Sequence, residues 1–300
     1  MQNIGTIDNT YTIIAFKGIE GIYKIYSSRH NQTQALHLIE VYRNAIPANL
    51  MNIMNNPIAL NHPYVIRVIR QGNGPIALND HPRVNRPYIV YESVTHTCLY
   101  NYVKIQRFTE MHAKLIFKKI LEGVRAMHNA NICHRFLNLY NILLDDNYNP
   151  KITDFFLCRM NMNNLQEVYG NKENQAPEIL EHRPYNGIRV DIFSLGKLLF
   201  NLVTGGEGFS SASQDDVLYR LIIEHDFNRY WDILEKMFGI NLSPEFKDLF
   251  IRMVNPNPDQ RPTTGEILNH GWFLDIQHLN EEQINALENE VRNEFVLRQQ

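Results

Sequence analysis

Short β-branched and aromatic runs open the chain: YTIIAF at 11–16, IYKIYSS at 22–28, ALHLIEV at 35–41, VIRVIR at 65–70 and YIVYE at 88–92. Turn residues separate them, so each predicts a strand. Between the third and fourth runs, PANLMNIMNNPIAL is bounded by Pro47 and Pro57 and predicts one short helix. After residue 93 the period lengthens. TEMHAKLIFKKILEGVRAMH at 109–128 starts at a threonine cap and repeats apolar residues every three to four positions, as a half-buried helix does. ILLDD and PKITD read as two small strands, and further helices are expected at 190–203, 215–225, 244–254 and 264–269. The pattern predicts an α+β chain: a small antiparallel sheet with one helix, then a larger, mainly helical part.

The last stretch carries its own signal. Asn280 can cap a helix, with Glu281 and Glu282 in the first turn, where the helix dipole favours negative charge. Ile284, Leu287, Val291 and Phe295 then recur at spacings of three and four and trace one apolar stripe. A lone helix of about twenty residues is marginal in water, so that stripe must be covered. Two covers are open: the large lobe of this chain, or a partner protein.

Composition narrows the class. With 300 residues, 44% of them hydrophobic, the chain can bury a sizeable core. A formal charge of −3 supplies no basic field for nucleic acid or an anionic membrane surface. No apolar run is long enough to span a bilayer, and the first residues lack the basic and apolar regions of a secretion signal. Cys98, Cys133 and Cys158 are too few and scattered for a disulfide framework, which points to a reducing compartment. The expected location is cytoplasmic, with a cytoskeletal or ciliary assembly as a narrower option.

Several motifs in order bring a resemblance. HRFLNLYN at 134–141, TDFF at 153–156, APE at 176–178, VDIFSLGKLLFNLVTG at 190–205 and NPNPDQRPT at 255–263 stand in the order and spacing of a eukaryotic protein kinase. Over residues 10–274 the chain resembles serine/threonine kinases of the calcium/calmodulin-dependent type. The resemblance implies a bilobal fold, with the small lobe at 1–92, the large lobe at 93–275 and a helical extension at 276–300. It also implies that Asp191 is a buried support and that Arg261 pairs with Glu178.

The same resemblance exposes departures. Phe136 stands where the catalytic acid is expected, and a phenyl ring accepts no proton. Asn138 replaces the lysine two residues on, and Phe156 replaces the glycine after Asp-Phe. Counting along the third strand puts His37 at the phosphate-binding lysine, and counting back from LNHP puts Ile53 at the helix acid. No lysine lies between Lys24 and Lys104 and no glutamate between Glu40 and Glu92, so that ion pair cannot form. Of the glycine-rich loop, Gly18 and Gly21 remain while Phe16 takes the first place.

Asn141 and Asp154 survive at the metal-ligand positions. They could hold a cation, or could instead brace their own loops. Phe16, Phe136 and Phe156 are expected to pack apolar bulk into the emptied cleft. These losses lead to the expectation of an inactive kinase-like protein, no enzyme, binding no cofactor beyond vestigial ATP and magnesium. Such a protein would act as a scaffold or regulatory subunit, contacting other proteins in a larger assembly through its surface and C-terminal helix. The alternative is a weak or atypical ATP-dependent serine/threonine kinase with a rebuilt site, for which Lys17 and Lys24 are the available small-lobe lysines.

Overall fold

The computed structural model describes residues 4–20, 22–54, 61–78, 81–94, 96–170 and 172–299. Its first part is a six-stranded antiparallel barrel closed in the order β1–β2–β3–β4–β6–β5. The strands are β1 (Gly5–Ile7), β2 (Tyr11–Glu20), β3 (Tyr23–His30), β4 (Leu36–Tyr42), β5 (Val68–Leu78) and β6 (His81–Tyr91), with α1 (Ala48–Met54) after β4. The sequence pattern anticipates five of these strands and misses β1, whose three residues show no period. β1 pairs with both β2 and β5 and so closes the barrel. The second half of β5, with two glycines and a proline, reads as a turn in sequence. It pairs with β6 as a strand, and its glycine makes room for the tyrosine opposite: a Cβ on Gly72 would sit 2.5 Å from the Tyr88 ring.

Alternation gives the barrel two apolar faces. Ile13, Tyr26, Ile39, Val41, Ile76 and Val90 fill the interior. Tyr23, Tyr42, Ile89 and Tyr91 look the other way, toward Leu50, Ile53 and the main core of the large lobe. On β4, therefore, His37, Ile39 and Val41 share one face, while Leu38, Glu40 and Tyr42 share the opposite one.

The large lobe is built from α2 (Leu99–Val103), α3 (Glu110–Asn129), α4 (Pro177–Leu180), α5 (Gly187–Thr204), α6 (Val217–Ile223), α7 (Phe227–Phe238), α8 (Pro244–Met253), α9 (Thr264–Leu268) and α10 (Leu274–Gln277). Short pairs β7 (Ile132–Cys133) with β10 (Arg159–Met160), and β8 (Ile142–Leu144) with β9 (Pro150–Ile152), edge the cleft. α5 is apolar nearly all round and runs through the core, with buried residues on every face. The sequence pattern misses α7, although its ends are marked. Asp226 accepts from the Arg229 amide at its start, and Gly239 closes it in the left-handed region at φ 60°.

The expected bridge between Arg261 and Glu178 is present. Nη1 and Nη2 each donate to a different carboxylate oxygen at 2.7 Å, and both side chains are buried. It ties the segment ending at residue 178 to the loop before α9.

The C-terminal extension forms α11 (Glu281–Leu297), capped by Asn280 and Gln283 in reciprocal hydrogen bonds. Its stripe is covered by the large lobe. Leu287, Val291 and Phe295 are buried, and the Phe295 ring lies against Tyr102, Phe108 and Tyr148. His112 pairs with Glu294, Lys119 with Glu288 at 2.7 Å, and Arg298 donates to the carbonyls of Tyr102, Gln106 and Arg107. Of the two covers open to the sequence, the structure takes the large lobe. No helix among the described residues is long and apolar enough to cross a membrane.

Two stability predictions follow from this packing. Arg261→Ala leaves the Glu178 carboxylate buried and unpaired and should cost about 3–5 kcal/mol in chemical denaturation. Leu287→Asp should cost about 3 kcal/mol through loss of apolar burial and a forced charge on the face of α11. An unchanged denaturation midpoint in either variant would show that its contact does not hold the lobe.

Candidate active site in the cleft

The floor of the cleft is the segment from Cys133 to Asn141, and Asp191 on α5 fixes its start. The Asp191 carboxylate is fully buried and accepts the backbone amides of His134 at 2.8 Å and Arg135 at 2.6 Å. His128 Nε2 stands 2.8 Å from the same group. These bonds hold Arg135 at φ 69°, a left-handed conformation that costs a non-glycine residue about 1–3 kcal/mol. Buried Arg135 then reaches the Tyr185 hydroxyl at 2.7 Å and stacks over the Tyr169 ring at 4.3 Å. Nothing in the sequence beyond its motif marks Arg135 for a role. In the structure it organises the segment between Asp154 and Glu178.

Asn138, which stands where a lysine is expected, braces the loop. Its Oδ1 accepts the amides of Tyr140 and Asn141, and its Nδ2 donates to the Phe136 carbonyl at 3.2 Å. Asn141 Nδ2 also donates to the Phe136 carbonyl, at 2.8 Å. Thr153 bonds the Asn141 carbonyl through both its amide and its hydroxyl, at 2.9 and 3.1 Å. That double tie sets Asp154 beside Asn141. Asp154 is also left-handed, at φ 63°. Its Oδ1 accepts from the Tyr23 hydroxyl at 3.0 Å and from the Phe156 amide at 3.4 Å.

The roof differs from expectation in three ways. First, the cleft-facing polar residue of β4 is Glu40 and not His37. His37 sits on the barrel-interior face, edge-on to Tyr11, with Nδ1 3.0 Å from the Tyr91 carbonyl. A strand alternates strictly, so a residue of that parity cannot turn into the cleft. Glu40 is only 6% exposed and accepts from the hydroxyls of Tyr42 at 2.6 Å and Tyr91 at 2.9 Å. The side chain expected to be cationic is thus replaced by an acid.

Second, Lys24 pairs in register with Val41 and is exposed, on the strand face opposite Tyr23, so it does not enter the cleft as a substitute cation. Lys17 is likewise exposed on β2. Ile53 is buried in the core on α1. Third, the three phenylalanines do not gather. Phe16 is 51% exposed and lies against Tyr26. Phe136 turns toward Gly170, whose Cβ would lie 3.5 Å from its ring. Only Phe156 meets the cleft side, 6.0 Å from the Tyr23 ring.

A tyrosine cluster gathers under the small lobe instead. Tyr23 packs on Tyr42 at 5.1 Å, and burial, followed by the Glu40 and Asp154 charges, drives the Tyr23 phenol far above its ordinary pKa. Tyr42 and Tyr91 are raised in the same direction, first by burial and then by Glu40. All three are therefore neutral hydrogen-bond donors at any working pH. The alternation of Leu38, Glu40 and Tyr42 against His37, Ile39 and Val41 was the signal that could have found this group.

The family implied by the resemblance uses a nucleotide with divalent cations, and the floor fits the metal. Asn141 Oδ1 and Asp154 Oδ2 have no hydrogen-bond partner among the described residues, and hard divalent cations prefer such oxygens. Gly18 leaves open space within 4 Å of where a side chain would start, as close approach of a phosphate requires. Gly21 lies outside the described residues. No group of three or more histidine, cysteine, aspartate or glutamate side chains gathers among the described residues, so a metal here would take few ligands from the protein and complete its shell with water or nucleotide oxygens. Burial pushes the Cys133 thiol up to about 12 and raises Cys158 well above its ordinary value, so neither is a reactive thiolate.

Comparison with known proteins gives the geometry its context. CBL-interacting serine/threonine-protein kinase 13 of Arabidopsis thaliana is 30% identical over 274 residues, covering 88% of this chain and 51% of that protein. The probable serine/threonine-protein kinase HSL1 of Saccharomyces cerevisiae is 36% identical over 187 residues, 61% of this chain and 12% of its own length. NUAK family SNF1-like kinase 1 of Homo sapiens is 30% identical over 217 residues, 71% of this chain and 30% of its own. The chain thus spans about half or less of the length of these three relatives. Their names are those of protein kinases, which overturns the expectation, drawn from Phe136, His37 and Ile53, that the chain is no enzyme. The model of the protein kinase domain matches residues 21–273, and the chain belongs to that family.

Proposed function

We propose that the chain is an atypical ATP-dependent serine/threonine kinase whose large-lobe machinery is kept and whose nucleotide roof is rebuilt. The observation that carries this reading is the tie between the two loops of the floor. Thr153 bonded twice to the Asn141 carbonyl holds Asn141 and Asp154 together, beneath a loop still fixed by Asp191. Phosphoryl transfer asks mainly for positioning and charge compensation, and those belong to the floor. Asn141 Oδ1 and Asp154 would hold a divalent cation, which would neutralise charge on the phosphates of a bound nucleotide. His134 supports the arrangement by bonding the Thr153 carbonyl at 2.8 Å while its ring packs on buried Phe155.

The departures set the expected rate. With phenylalanine at 136, no side chain there takes the substrate hydroxyl's proton. A positioned base is worth about 10²–10⁴-fold, so turnover should be lower than in a kinase with the acid by about that factor. A second cost lies in the roof. Glu40 repels phosphate where a cation would attract it, so nucleotide affinity should be weak and should depend steeply on the divalent cation.

The purified chain, given labelled ATP, Mn²⁺ or Mg²⁺ and a mixture of serine- and threonine-containing peptides, should transfer phosphate slowly. Asp154→Ala should abolish the transfer. Absence of any transfer by the wild-type protein, or transfer indifferent to Asp154→Ala, would overturn the reading. The roof has its own test. Glu40→Lys should tighten Mg²⁺–ATP binding by about tenfold, the gain of one charge-assisted contact, whereas His37→Lys should leave it unchanged. Titration calorimetry with the reverse ranking would reject the cleft placement of Glu40.

A further inference from the structure

Tyr23 joins the two halves of the cleft. Its backbone belongs to β3 of the small lobe, paired in register with Tyr42. Its hydroxyl donates across the cleft to Asp154 Oδ1 at 3.0 Å. The ring is 3% exposed, held between Tyr42 at 5.1 Å and Phe156 at 6.0 Å. A hydrogen bond to a carboxylate is among the stronger ones, and here it falls on the residue that would ligate the metal.

We propose that Tyr23 is a positioning residue that gates divalent metal at Asp154: its hydroxyl holds the carboxylate toward the small lobe and must release it before a cation can use both oxygens. This deepens the reading above, since it rests on Asn141 and Asp154 being the metal-holding pair. The geometry makes the gate selective. The Tyr23 hydroxyl reaches Asp154 Oδ1 from a ring fixed against Tyr42 and Phe156. Tyr42 is chemically the same and lies in the same cluster, but it donates to Glu40. Only one of the two neighbouring hydroxyls therefore competes with the cation.

Mn²⁺ is titrated by calorimetry, without nucleotide, into the wild-type chain and into Tyr23→Phe, Tyr42→Phe and the double variant Tyr23→Phe with Asp154→Ala. Tyr23→Phe should bind Mn²⁺ about tenfold more tightly than wild type, matching removal of one hydrogen bond to a charged group. Tyr42→Phe should match wild type, and adding Asp154→Ala should erase the gain. Equal affinity in wild type and Tyr23→Phe overturns the gate, as does a gain that survives Asp154→Ala, because the metal then sits elsewhere. Phosphotransfer is read separately on the same proteins. Tighter Mn²⁺ binding without turnover upholds the gate and counts against the kinase reading alone.

Discussion

One carboxylate with no exposure to water, Asp191, sets the geometry of the cleft floor. A buried charge is tolerable only when it is hydrogen-bonded, and Asp191 meets that demand with the His134 and Arg135 amides and with His128. In meeting it, the floor loop is bent into the left-handed turn at Arg135 that no apolar packing would hold. From that turn two branches follow. One runs through Asn138, Asn141 and Thr153 to Asp154. The other runs through the Arg135 guanidinium to Tyr169, Tyr185 and Glu167, ordering the segment that ends at the Glu178–Arg261 bridge. The helix carrying Asp191 is the most deeply packed in the lobe, so both branches stand on a rigid base.

The roof obeys a different balance. An acid buried on β4 needs donors, and Tyr42 and Tyr91 supply them with hydroxyls that burial keeps neutral. Tyr23 does the same for Asp154 from the facing side. The polarity of the roof is thereby inverted: Glu40 stands where a cation is expected from the family frame, and three phenols donate to it and to Asp154. Such a network is stable in itself, since each hydroxyl has an acceptor. The tail adds a brace outside the cleft, with Phe295 of α11 packed on Tyr102, Phe108 and Tyr148 and its acids bonded to His112 and Lys119 of α3.

The large lobe was legible because its signals are long and redundant. α3, α5 and α8 show helical periods over many residues, and the tail shows its stripe, cap and acidic first turn together. The small lobe was less so, for physical reasons. β1 is too short to show a period, and β5 carries glycines that serve the Tyr88 ring and mimic a turn. Counting along β4 without knowing its turn placed the site on His37, yet parity alone assigns His37 and Glu40 to opposite faces. Phe136 was rightly seen as unable to accept a proton, but where its ring would go depends on Gly170, far along the chain, and no local pattern carries that. The step from missing groups to missing activity also failed, because loss of single residues does not by itself say what the remaining floor can do.

The most direct test is a crystal structure of the chain grown with a non-hydrolysable ATP analogue and Mn²⁺, with anomalous data collected at the manganese edge. A rebuilt kinase site predicts an anomalous peak bridging Asn141 and Asp154, with the Tyr23 hydroxyl turned off the carboxylate and the phosphates held away from Glu40. A cleft with no peak there and Tyr23 still bonded to Asp154 at saturating metal and nucleotide would contradict it.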